Sequence, residues 1–151
     1  MPINLLIVIQ RIQSLFLLFA SAVSGGLIFI FSLWKNLKSN EIFAIDTFLN
    51  ESMLTKSIGL LFLISAVLSF ITIFLFKNRK LQFVMNRINI LLNFLLVGFI
   101  VYHLLTLSGD AKVSEKGIGS FLPIISVFLL VFANRFIKKD EDLVKSVDRL
   151  R

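Results

Sequence analysis

The sequence predicts an all-α membrane protein: an antiparallel four-helix transmembrane bundle with a cytoplasmic C-terminal helical extension. Three observations carry the prediction. Apolar residues fill 57% of the 151 positions, above the roughly 45–50% of a soluble domain. The excess sits in four uncharged runs, 12–34, 57–76, 88–109 and 117–134. Each reaches or approaches the roughly 18–20 helical residues that cross about 30 Å of hydrocarbon. Lys and Arg are distributed unevenly, with 11 in segments 1–13, 77–87 and 135–151 against 5 in segments 35–56 and 110–116. Positive charge is retained on the cytoplasmic side, so both termini and the basic knot Lys77, Arg79 and Lys80 are expected there. The expected spans are about 12–34, 57–76, 88–108 and 118–135, followed by a tail at 136–151, and together they make one transmembrane domain over 1–151.

The opening residues 1–13 do not read as a signal peptide, because the apolar run 3–9 is short and no charged region precedes it. The first span is expected to start after Arg11. Its pairs Ala20/Ser24, Ser21/Gly25 and Ala22/Gly26 each put two small residues on one helix face, where backbones can approach closely in lipid. Packing within the chain is the first expectation for these faces, and a homodimer through residues 20–26 is the second. Trp34 suits the outer membrane interface. The outer loop 35–56 fits a surface helix capped by Ser39 or Asn40, with Ile42, Ile45, Leu49 and Met53 on one face; an irregular loop fits as well.

The second span carries Ser65, Ser69 and Thr72 at i, i+4 and i+7, spaced to bond to their own helix or a neighbour. After the basic turn, the third helix is expected to start in the interface, with Arg87 snorkelling. Asn89 and Asn93 lie one turn apart on it. An amide in hydrocarbon needs a partner, so their face should point into the bundle, with Asn93 against span one or two. Ser120 reads as the N-cap of the fourth helix and Pro123 as part of its first turn. No Gly or Pro follows Arg135, so residues 120–149 read as one continuous helix whose last turns are amphipathic. Phe136, Leu143, Val147 and Leu150 share its apolar stripe, Val144 lies beside them, and Glu141 and Lys145 form an i, i+4 pair.

Little in this sequence carries chemistry. No cysteine is present, which excludes disulfide exchange and thiolate chemistry. No Asp, Glu, Lys or Arg lies inside a span core, which argues against an ion-coupled carrier. His103 is the only histidine, without a second ligand for metal or haem, and beside Tyr102 it reads as an interfacial side chain. The expectation is a protein that is not an enzyme and needs no cofactor or metal. Its intramembrane polar residues are Asn89, Asn93 and His103. Membrane lipid is one partner and nucleic acid is not expected. The tail is expected to dock a cytosolic or membrane protein through Leu143, Val144, Val147, Leu150, Arg149 and Arg151, making the chain an accessory or scaffold subunit. Alternation of Asp140, Glu141, Asp142 and Asp148 with basic residues favours a protein surface. A tail lying on anionic lipid through Lys138, Lys139, Lys145, Arg149 and Arg151 is the competing reading. A different class of function, a lipid- or quinone-binding component with its site between Phe-lined helices, is the alternative to docking.

The segments IQRIQ (9–13), FKNRKLQ (76–82) with RINILLN (87–93), and above all ANRFIKKDEDLVKSVDRLR (133–151) resemble a family of small Gram-negative bacterial four-span proteins known only as a domain of unknown function. The resemblance implies a bacterial inner-membrane location and supplies no activity or site. Relatives tend to begin at the IQRIQ element, so residues 1–8 depart from the pattern.

Overall fold

A computed structural model describes residues 3–36, 40–49, 53–109 and 113–149. Four helices dominate: α1 (Ile3–Gly25), α2 (Met53–Phe74), α3 (Arg79–Gly109) and α4 (Leu122–Arg149). Each contains a stretch long and apolar enough to cross a membrane. Each packs on its neighbour in sequence and α1 closes the ring against α4, so the helices run up, down, up and down around one axis. The short α2–α3 connection fixes that pair, because a tight turn returns the next helix beside the last. Between α2 and α3 the connection is a single 3-10 turn, Leu75–Lys77, and Asn78.

The partition of side chains is inverted relative to a water-soluble bundle. Gln13, Ser24, Ser65, Ser69, Thr72, Gln82, Asn86, Asn89, Asn93 and Ser126 are buried, whereas Leu15, Phe19, Leu63, Phe70, Leu91, Phe94 and Phe128 are exposed. Exposed Leu and Phe cost nothing against acyl chains, while a polar group among them needs an internal partner. This arrangement fits a membrane protein. The sequence-predicted small faces are consumed inside the chain: Ala20 and Ser24 are buried, Ser21 Oγ donates to Ala66 O at 3.2 Å, and Gly25 abuts Ala66. Ala22 and Gly26 remain exposed.

At one end the loops build a small three-stranded antiparallel sheet in the order β2 (Glu41–Ile42), β1 (Trp34–Asn36), β3 (Val113–Lys116). Trp34 pairs with Ile42 on one side and Lys116 on the other, so the α1–α2 loop is tied to the α3–α4 loop by backbone hydrogen bonds. Gly117 N donates to Leu33 O and Gly119 N to Ser32 O. A Cβ at Gly117 would collide with Ser32 O, so the close approach requires glycine there. Leu33, Trp34 and Ala44 from this roof join Ile58, Phe62, Leu96, Ile100, Leu104 and Leu122 in one apolar cluster.

Several expectations change here. The chain is not wholly helical, because the sheet roofs one end. The first helix stops at Gly25 rather than running to residue 34, since Gly25 and Gly26 favour termination and the following backbone is committed to a 3-10 turn and β1. Residues 40–49 form no surface helix. Ile42 pairs in the sheet, and a 3-10 turn spans Asp46–Leu49, held by Asp46 Oδ2 accepting from Phe43 N at 2.9 Å. Ser39 lies outside the described residues. Trp34 is buried, its ring against His103 and within the apolar cluster below the sheet. Ser120 does not cap α4; its Oγ donates to Gly117 O within the preceding 3-10 turn, Ile118–Phe121. Pro123 does fall in the first turn of α4, and that helix is continuous to Arg149.

Candidate functional site

The most organised group of polar side chains runs along the inner face of α3. Gln82, Asn86, Asn89 and Asn93 recur at i, i+4, i+7 and i+11, which places them on one helix face, and all four are buried. Gln82 Nε2 donates to Thr72 O on α2 at 3.1 Å. Asn86 Nδ2 donates to Leu130 O and Asn134 Oδ1 on α4, at 2.8 and 2.9 Å. Asn89 Nδ2 donates to Ser65 O and Ser69 Oγ on α2, at 3.1 and 2.7 Å. Asn93 Nδ2 reaches Ser65 Oγ at 2.7 Å, so this amide faces the second span as its position in the sequence requires. Ser65 Oγ then donates to Ser24 Oγ of α1, which lies 2.9 Å from Ser126 Oγ of α4. One hydrogen-bonded seam therefore touches all four helices. Such bonds average about 0.6 kcal/mol each within membranes.

The sequence reading located Asn89 and Asn93 but not Gln82 and Asn86, although their spacing was visible. It assigned residues 81–86 to the approach of the third span rather than to its inner face. Gln13 and Ser126, on other helices, carried no local signal, and Ser24 read only as a small residue of a packing face. Their roles come from the antiparallel pairing of α1 with α4, in which Phe16 also stacks on Phe132 and Phe136 at 5.7 and 5.5 Å. His103 stands apart from the seam. It is half-buried, with its ring 4.5 Å from that of Trp34 under the sheet. Among the described residues, no group of three or more His, Cys, Asp or Glu is placed to hold a metal ion.

At the end opposite the sheet, the first turns of the tail are docked. Ile137 is buried, and Asp140, fully buried, accepts from Arg79 Nε at 2.5 Å, which clasps α4 to the start of α3. Phe136 is occupied by Phe16 and is not part of a free stripe. Leu143 and Val144 are half-buried; Leu150, Arg151 and the side chains of Val147 and Arg149 lie outside the described residues. On another side of the tail an open groove of about 400 Å³ is lined by Arg135, Lys138, Lys139, Asp142, Leu143 and Ser146. A second groove, about 680 Å³, lies near the sheet end among Met53, Leu54, Ser57, Phe99 and Tyr102.

Comparison with curated proteins gives no match, and neither does comparison with solved structures. A family model matches residues 9–150, nearly the whole chain, and the chain belongs to that family, described as Domain of unknown function (DUF4293).

Proposed function

We propose that this chain is a non-catalytic accessory or scaffold subunit of a bacterial inner membrane that holds a protein partner at its cytoplasmic tail. The tail groove is the observation that carries the reading. It offers one apolar side chain, Leu143, between three cations and the carboxylate of Asp142. A mixed-sign rim around an apolar floor suits a protein surface of complementary pattern better than a uniformly anionic bilayer. The 11-to-5 distribution of Lys and Arg supports placing that groove, and both termini, in the cytoplasm. The contact surface then centres on Leu143 with Arg135, Lys138, Lys139, Asp142 and Ser146. Val144 is a weaker candidate, because it lies half-buried away from the groove lining.

A photoactivatable residue at Ser146 tests this in cells. A discrete crosslinked protein should form, and Leu143→Asp should abolish it while membrane insertion is unchanged. Replacing Lys138, Lys139 and Lys145 with Gln should weaken the crosslink less. The opposite ranking, with charge removal releasing the tail from anionic vesicles and Leu143→Asp leaving every crosslink intact, would make the tail a lipid anchor. Truncation after Asp142, which keeps the Asp140 clasp, should remove the partner from an affinity pull-down.

A second reading, a component binding a lipid or quinone, is favoured by the apolar groove of Met53, Leu54, Phe99 and Tyr102. That groove is on the flank of the α2–α3 pair and does not include Asn93. Saturable protection of Tyr102 from chemical labelling by a quinone analogue would support it.

A further inference from the structure

Seven buried side-chain atoms have no hydrogen-bond partner among the described residues, and five of them belong to residues of the tail half of the bundle, in a layer about two helical turns deep. They are Gln13 Nε2 and Oε1, Gln82 Oε1, Asn86 Oδ1 and Asp140 Oδ1. Hydrogen bonds to neighbouring helices define the levels of the layer. Asn86 is held beside Leu130 and Asn134, Arg79 beside Asp140, and Gln82, one turn from each, lies between these levels. Gln13 is on α1 one turn before Leu17, which packs on Leu130 and Ala133, so it sits level with Ile137. All four orphaned side chains are fully buried.

Rotating the amides does not remove the orphans. Turning Gln82 would forfeit its bond to Thr72 O, and turning Asn86 would forfeit two bonds. The layer is therefore rich in acceptors, with four oxygens against the single NH₂ of Gln13. Leaving each of these bare in a low-dielectric interior is costly. Whatever satisfies them must be small, must donate hydrogen bonds in several directions, and must be neutral, because Arg79 already balances Asp140.

We propose that this layer binds a file of ordered water, with Gln13 as its central protein ligand. Each buried water makes about three hydrogen bonds, so about two or three molecules satisfy the five atoms. Deeper in the bundle, Asn93 Oδ1 is also unpartnered, and the Asn89, Ser65 and Ser24 seam leads to it. Beyond that level Val23, Phe62, Leu96 and Ile100 fill the interior, and the seventh unpartnered atom, Thr55 Oγ1, stands apart at the sheet end of α2. The file thus enters at the Arg79–Asp140 clasp and ends blind at mid-bundle: a wet half and a dry half, with no continuous polar route to the sheet.

Water-edited solid-state NMR on the full chain in lipid nanodiscs, with side-chain amides labelled with nitrogen-15, tests the proposal directly. Magnetisation should pass from water to the Gln13 and Asn86 amides about as fast as to exposed loop amides, and should not reach the backbone at Phe62 and Leu96. Absence of transfer to Gln13 overturns the proposal. A response of the Gln82 and Asn86 signals to sodium or potassium, but not to choline, also overturns it by making the occupant a cation. Gln13→Leu supplies an independent reading. In a wet layer the substitution deletes a ligand and lowers Tm; in a dry layer it removes two unpaired groups and raises Tm, which counts against the file. The NMR measurement uses the unmodified protein, so the test stands if the variant does not fold.

Discussion

The Arg79–Asp140 pair gives the clearest perturbation. Asp140 is fully buried and the Arg79 side chain is 24% exposed. Breaking a buried pair by removing one partner costs about 3–5 kcal/mol, and an exposed pair is worth at most about 1 kcal/mol. The partial exposure of Arg79 lets water reach the guanidinium once its partner is gone, so Asp140→Leu should cost about 2 kcal/mol, between those limits. Arg79→Leu should cost more, because it strands the carboxylate in the interior beside its already orphaned Oδ1. The double replacement removes both charges and should recover most of the loss, giving a coupling of at least about 1 kcal/mol in the cycle. Unfolding free energies measured by steric trapping in bicelles read all four corners of that cycle. Additive single effects, with coupling below about 0.3–0.5 kcal/mol, would refute a clasp and leave two independent charges.

Two other outcomes follow from the geometry. Gly117→Ala should destabilise by about 1–3 kcal/mol through its clash with Ser32 O, whereas Gly98→Ala, with open space around it, should be neutral or stabilising in the same unfolding assay. Equal effects at the two sites would deny the close packing of the roof. Reporter fusions at residue 78 and after residue 151 should both report cytoplasm, given the Lys/Arg asymmetry; a periplasmic signal from either would reverse the proposed orientation.

The number and order of the long apolar helices were legible because a long uncharged run is a crude signal that each segment carries by itself. The inward turn of Asn89 and Asn93 was legible for the same reason: hydrocarbon leaves an amide few alternatives. The sheet was not, because β1 and β3 lie about 80 residues apart and are short. Their pairing is a product of the bundle, which brings the two loops together, and three residues such as Trp34-Lys35-Asn36 carry no period-2 signal. The tail was half legible. Its helix followed from pattern, but its apolar stripe mixes two fates. Phe136 packs inward on Phe16 while Leu143 lines an open groove, and only the register against α1 separates them. Asp140 looked like one of four alternating surface acids; its burial depends on Arg79, 61 residues earlier.

The two ends of the bundle are held by different forces, and this bears on where a partner can act. Apolar helices in lipid gain little from the hydrophobic effect, since acyl chains are as apolar as Leu. The sheet end compensates with a dense apolar cluster and with backbone bonds from Trp34 and Lys35 to both neighbouring strands, so the two loops cannot part without losing the ladder. The tail end has no such ladder among the described residues. Side-chain bonds, each worth about 0.6 kcal/mol, one ion pair, and the packing of Phe16 and Leu17 of α1 on α4 hold it. It is the end that separates at lower cost, and it also carries the groove, the orphaned amides and the clasp. A partner seated against Leu143 and Lys139 touches the turn that carries Asp140 on its inner side. On the proposed reading Asp140 would link the tail surface to the interior, and Asp140→Asn, which weakens the clasp without emptying the site, should keep water transfer to Gln13 fast while leaving the backbone at Phe62 dry.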